Sequence, residues 1–257
     1  MSPGPLAGRG ALVTGVSRRI GIGWAIAHRL GELGASLYVS GWREHDAGQP
    51  WGADPGDPVA ELRAALGETE IHAGEHDFAD PSTPERCLAE ATEALGHVDV
   101  LVANHAHSSS HGLGELDAAE IDRALAVNVR ATLLLIQAFA DRHDGRPGGR
   151  VVYLTSGQHR GPMPGELPYI AGKGALHQLT PSLAAALAPR DITVNCVDPG
   201  ATDTGYAPPD AHAAVLELEP MGRWGEPADA ARLIGFLATD DARWITGQVI
   251  ASTGGGP

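Results

Sequence analysis

Seven short apolar runs, separated by segments with helical spacing, constrain this chain more than any other property. The runs fall near 10–14, 36–40, 70–76, 98–104, 150–155, 192–197 and 248–252; the helical segments fall near 22–33, 58–66, 84–95, 117–141, 168–188 and 226–238. A strand covered on both faces reads as an unbroken apolar run, and strands that alternate with helices pair in parallel. The alternation therefore predicts a doubly wound parallel sheet of about seven strands in a three-layer α/β/α arrangement. At 257 residues and 43% hydrophobic, the chain suits one domain spanning 1–257, without repeats or a dividing linker. Residues 44–58, rich in Gly, Pro and Asp, read as an irregular surface loop, longer than a strand-to-helix connection needs. Residues 203–222 read as an irregular substrate lid, because they follow a strand's carboxyl end, where open α/β sheets bind ligands. Pro181 interrupts the 168–188 segment, yet the apolar spacing continues through Leu183 and Leu187, which predicts one bent helix rather than two.

The stretch Thr14-Gly15-Val16-Ser17-Arg18-Arg19-Ile20-Gly21-Ile22-Gly23 lies between the first apolar run and the first helical segment. Glycines there let the backbone turn sharply and approach a pyrophosphate, which the helix N-terminus attracts. This makes the sheet Rossmann-like and nominates Gly15, Ser17, Arg18, Arg19, Gly21 and Ile22 as cofactor contacts. The second strand ends in Ser40-Gly41-Trp42-Arg43, with no acid before Glu44. An acid at that point would bind the ribose hydroxyls of NAD and repel a 2′-phosphate. With Arg18 and Arg43 available to a phosphate and Trp42 beside them, NADP is the expected cofactor and NAD the alternative.

Tyr169 and Lys173 stand four apart in a helical segment and so share one face. An ammonium near a phenol favours the phenolate and lowers its pKa from about 10, so Tyr169 is a candidate proton carrier for a carbinol oxygen. Ser156, at the end of the Val151–Leu154 run, is placed to hydrogen-bond the same oxygen.

Taken together, the glycine loop, Ser156 and the Tyr169/Lys173 pair resemble the single-domain short-chain dehydrogenase/reductases, over almost the whole chain from Ala11 to about Gly255. The resemblance implies hydride transfer between a nicotinamide and a ketone or secondary alcohol, a 3-oxoacyl thioester being one such substrate. It adds Asn128 to the catalytic set, holding a water that connects Lys173 to solvent, and gives Lys173 the cofactor ribose. It makes Asp77 and Phe78 adenine contacts. It sets Asn104 and Ala106 in the family's Asn-Asn-Ala-Gly segment, where Ala106 replaces the glycine. It gives Pro199, Gly200, Thr202 and Thr204 to the nicotinamide and pyrophosphate. The family pattern has three residues between its first two glycines where this chain has five, Val16 to Ile20. The family commonly assembles as tetramers, so a homotetramer or homodimer is expected. The rival reading is a non-catalytic dinucleotide sensor or scaffold of the same fold.

A net charge of −14 argues against a nucleic-acid surface. The N-terminus lacks the charged-then-apolar order of a secretion signal, and the apolar stretch near 131–140 is short for a bilayer, so a cytoplasmic protein is expected. The two cysteines, Cys87 and Cys196, have no metal-type spacing and read as buried free thiols. His105, His107 and His111 alternate along an extended segment, which would face them one way, but no companion Cys or carboxylate has convincing spacing. They read as pocket lining or solvated side chains, with no metal.

Overall fold

All seven strands pair in parallel in one sheet, in the order β3-β2-β1-β4-β5-β6-β7. The computed structural model describes residues 4–207 and 209–256. The strands are β1 Gly10–Thr14, β2 Ser36–Gly41, β3 Ile71–Glu75, β4 Val100–Ala103, β5 Gly149–Leu154, β6 Ile192–Asp198 and β7 Val249–Ala251. The helices are α1 Ile22–Glu32, α2 Arg43–Ala47, α3 Pro58–Leu66, α4 Thr83–Leu95, α5 Ala118–Leu125, α6 Ala131–Arg142, α7 Leu167–Leu187, α8 Pro209–Leu218 and α9 Pro227–Ala238.

The central strands β1, β4, β5 and β6 are buried on every residue because both faces are covered. Ala11 and Val13, Val100 and Val102, and Val152 and Leu154 face a core shared with Ile26 and Leu30 of α1, Leu62 of α3 and Ile234 of α9. Their neighbours Leu12, Leu101, Val151 and Tyr153 face the opposite core, with Leu88 of α4, Leu135 and Phe139 of α6 and Leu176 of α7. Strand periodicity of two splits each apolar run between these cores. The strand order reverses between β1 and β4, which opens a crevice at their carboxyl ends.

Three expectations are corrected. The 117–141 segment is two helices joined by a π turn, Ala126–Arg130, closed by the Ala131 amide on the Ala126 carbonyl. The 44–58 loop begins with the short helix α2, and the 203–222 lid contains α8; Pro208 of that lid lies outside the described residues. The whole stretch Ala118–Arg142 is also long and apolar enough to cross a membrane by length and composition. Its Leu135, Ile136 and Phe139 are instead buried in the core of this fold. Through Pro181, α7 runs as one helix. Both cysteines are free and buried, and burial pushes each thiol up to about 12.

Candidate active site

The glycine loop is shaped by three groups that crowd together where β1 ends. Gly15 has φ +72°, a left-handed conformation that suits glycine. A Cβ on Gly23 would sit 2.2 Å from the Gly15 carbonyl oxygen and 2.7 Å from Asn104 Nδ2. No side chain fits there, so the start of α1 can close on the loop only through glycine. Asn104 completes the knot by donating Nδ2 to the carbonyls of Thr14 (3.0 Å) and Gly15 (3.2 Å). The extra residues leave this knot as an outward turn, Arg18 to Gly21, closed by the Gly21 amide on the Arg18 carbonyl at 3.0 Å. The N-terminus of α1, with its unpaired amides, still faces the crevice.

A cavity of about 280 Å³ occupies that crevice. Of the residues expected at the cofactor, Gly15, Ser17, Arg18, Gly21 and Ile22 line its glycine-loop side, and Trp42, Asp77 and Phe78 line the opposite wall. Asn104, Ala106 and Thr204 also line it. Arg43 does not: its guanidinium donates to the Asp54 and Gly56 carbonyls at 3.2 and 2.9 Å, which makes it a clip inside its own loop. Arg19 does not either: its amide donates to the Asp54 carboxylate at 2.7 Å, and Nε pairs with Glu61 at 3.0 Å. Pro199 lines a separate cavity of about 290 Å³ with Ser252 and Thr253. Gly200 packs against Thr253, and Thr202 is buried with its hydroxyl on the Pro199 carbonyl at 3.0 Å. Tyr169 and Lys173 lie outside the wall of the 280 Å³ cavity.

Sequence reasoning missed His45, Trp51, Arg123 and Val127, which also line the cavity. Trp51 lies in the loop read as irregular surface, where an indole among Gly, Pro and Asp was the available signal. The three histidines diverge. His105 is buried, stacked on Phe78 with ring centroids 4.0 Å apart, whereas His107 pairs with Glu120 at 2.8 Å and His111 contacts Ser109 at 3.1 Å. Thr14 Oγ1 accepts the amides of Asn104 and His105 and lies 2.7 Å from His105 Nδ1. Burial, reinforced by the charge of Lys173, pushes the imidazole down to about 3, so His105 is neutral.

Ser156 follows β5, and Tyr169 and Lys173 project from the first turns of α7. Lys173 is buried, donates Nζ to the Leu154 carbonyl at 2.9 Å and lies 5.7 Å from the centre of the Tyr169 ring. Thr155 fixes the same turn by donating its hydroxyl to the Lys173 carbonyl at 2.9 Å. Burial lowers Lys173 to about 8. It raises Tyr169 to about 12, against a downward pull from the Ser156 hydroxyl. The expected lowering of Tyr169 is therefore reversed in this pocket, because loss of solvation outweighs an ammonium that is held on a carbonyl at that distance.

Asn128 sits in the π turn with its side chain fully engaged. Oδ1 accepts from the His107 amide at 2.7 Å and Nδ2 donates to the His107 carbonyl at 3.0 Å. Its amide thus fixes the chain after β4. Gly172 lets α7 approach: a Cβ there would lie 2.9 Å from that of Asn128. Asn128→Ala strands both His107 backbone groups, so unfolding free energy should fall by about 1–3 kcal/mol, measured by urea titration.

A glycine-cradled cavity at the switch point of a parallel sheet, beside a Ser/Tyr/Lys cluster, defines a dinucleotide-dependent oxidoreductase. The family described as enoyl-(acyl carrier protein) reductase matches residues 15–256. The chain is 38% identical to an uncharacterized oxidoreductase of Bacillus subtilis over 247 residues, 95% of each protein. It is 35% identical to dehydrogenase/reductase SDR family member 4 of Homo sapiens, over 98% of this chain and 89% of the relative. Among solved structures, a short-chain dehydrogenase/reductase from Serratia marcescens superposes with a TM-score of 0.86 at 32% identity, over 98% of each chain. The landomycin C-6 ketoreductase LanV, solved with bound NADP and rabelomycin, gives 0.82 at 34% identity, covering 98% of this chain and 97% of LanV. The chain belongs to the short-chain dehydrogenase/reductase family, whose members here are named as oxidoreductases, dehydrogenases and ketoreductases.

Proposed function

We propose that the protein is an NADP(H)-dependent ketoreductase that interconverts a ketone and a secondary alcohol. The observation that carries this reading is the buried Lys173 beside Tyr169, with Ser156 next to the phenol, at the edge of a glycine-cradled cleft. Gly15 and Gly23 fit a dinucleotide because the space a Cβ would fill is where the backbone closes on the loop. The likeness to LanV, an NADP-bound ketoreductase, supports both the cofactor and the reaction. When bound, the nicotinamide supplies or accepts the hydride.

The chain's own groups handle the proton. In the reductive direction Tyr169, a neutral phenol at physiological pH, donates its hydrogen to the oxygen that gains charge, and Ser156 orients that oxygen. Lys173 as ammonium stabilises the phenolate that is left. The Leu154 carbonyl keeps that ammonium in place. Because burial brings Lys173 to about 8, reduction should hold a plateau below that pH and decline as pH rises through it, as the ammonium is lost. The profile of kcat for ketone reduction checks this. A profile that climbs with pH through this range contradicts the assignment.

With Arg43 engaged in its own loop, Arg18 is the nominated arginine that remains on the cavity wall. Arg18→Ala should weaken NADPH by about 1.5–3 kcal/mol and leave NADH little changed, measured by titration calorimetry. Equal losses for both cofactors would remove Arg18 from the 2′-phosphate. For the substrate, a panel of acyl thioesters and polycyclic aromatic ketones, followed by NADPH oxidation, separates the two classes; no turnover with any member revives the sensor reading. Assembly as a homodimer or homotetramer is supported by exposed Trp244 and Leu134, and a monomer in sedimentation would refute it.

A further inference from the structure

Two features that depart from the expected pattern meet each other in space. The widened turn of the glycine loop, Arg18 to Ile20, is bound to the loop 48–57. Asp54 accepts the Arg19 amide, Arg43 clips the Asp54 and Gly56 carbonyls, and the Arg18 guanidinium carbon lies 5.9 Å from the centre of the Trp51 ring. Both Arg18 and Trp51 line the cofactor cavity. Trp51 also meets Tyr206 edge to face, ring centroids 6.5 Å apart. The segment after β6 touches the widened turn directly as well. Gly205 has φ +73°, and a Cβ on it would lie 2.8 Å from Ile20 Cδ1 and 3.8 Å from Arg18 Nη2. Three segments, two of which exceed what the fold requires, thus converge on one indole at the cavity wall.

We propose that Trp51 is a cofactor-retaining residue: held between Arg18 and Tyr206, it covers the mouth of the dinucleotide cavity and ties it to the segment beside the substrate. The proposal rests on NADP(H) binding in that cavity and is independent of which ketone is reduced. A cation on the face of an indole and an aromatic edge against it fix the ring without a covalent link. Because the held ring lines the cavity, it also touches a dinucleotide bound there, and breaking those contacts slows escape more than entry. The Arg18 turn supplies the platform, which accounts for the two extra residues between Gly15 and Gly21.

The test is the release of NADPH from the binary complex, followed by its fluorescence after mixing with excess NADP+, without any ketone present. Trp51→Ala should release NADPH about tenfold faster or more, with association nearly unchanged. Trp51→Phe, which keeps a ring between Arg18 and Tyr206, should stay within about threefold of wild type. Tyr206→Ala should release faster than wild type, and adding it to Trp51→Ala should change little further, because both remove one cover. Thermal unfolding of the apoproteins identifies a variant that fails to fold, and Trp51→Phe then decides. Wild-type release rates in Trp51→Ala, or additive effects of the two alanine substitutions, overturn the cover while leaving ketone reduction standing. A wild-type protein that does not bind NADPH overturns the cover and the cofactor reading together. Tight NADPH binding with rapid release in Trp51→Ala but no turnover of any ketone supports the cover and defeats only the ketoreductase reading.

Discussion

Tyr169→Phe lowers the turnover of ketone reduction by about 10²–10⁴-fold, the usual range for loss of a general acid. The ring stays to pack between the start of α7 and the Ser156 segment, so thermal stability and NADPH affinity should remain near wild type. Lys173→Met should also depress turnover, since it removes the charge that stabilises the phenolate. It also frees the Leu154 carbonyl, which would lose the donor that Lys173 Nζ provides. That unpaired buried acceptor costs about 1–3 kcal/mol, so this variant should melt earlier than Tyr169→Phe. The double variant should cost far less than the sum of the two in log turnover, because both disable one proton-transfer unit. Near-normal turnover in Tyr169→Phe, with chemistry limiting the rate, would falsify the mechanism.

Gly23→Ala should weaken cofactor binding by about 10–100-fold. The new Cβ would meet the Gly15 carbonyl oxygen at 2.2 Å and Asn104 Nδ2 at 2.7 Å, and the carbonyl cannot move without reshaping the phosphate loop. Overpacking of this kind costs about 1–3 kcal/mol in stability. If the same strain displaces the loop, NADPH affinity should fall by about 10–100-fold, at 1.4 kcal/mol for each factor of ten. Gly174→Ala on α7 is the control, since a Cβ there meets no heavy atom within 4 Å. Equal affinities for the Gly23 and Gly174 variants would show that the cradle is not where the dinucleotide sits.

Much of this was readable from the chain alone, and the failures have physical causes. Strand positions were legible because both faces of the central strands are buried, leaving each an unbroken apolar run. Gly15 and Gly21 were legible because glycine concentrates where backbone must approach backbone. The Ser156, Tyr169 and Lys173 cluster was legible because a strand end and one helical turn fix its spacing locally. Arg43 was misassigned because its partners are carbonyls more than ten residues away, contributed by a loop with no periodicity. The direction of the Tyr169 shift was misread because spacing reports a neighbouring charge but not the loss of solvent around both groups. The π turn left no mark in the apolar pattern, since only the closure onto Ala126 distinguishes it from ordinary helix. His105 was visible as a residue, but its neutral state follows from its burial beside Lys173, which no local pattern records.

The π turn also sets the length of the chain at this point. A turn closed five residues back holds one residue more than an α-turn, and each α-helical residue advances the helix by about 100°. The wide turn absorbs that extra residue, so deleting one residue of Ala126–Arg130 would close it to an α-turn and leave α6 facing as before relative to α5. Leu135 and Phe139 would keep their place in the core, while Asn128 would lose the bulge that presents its amide to the His107 backbone. The extra residue thus serves the segment after β4 and not the packing of α6.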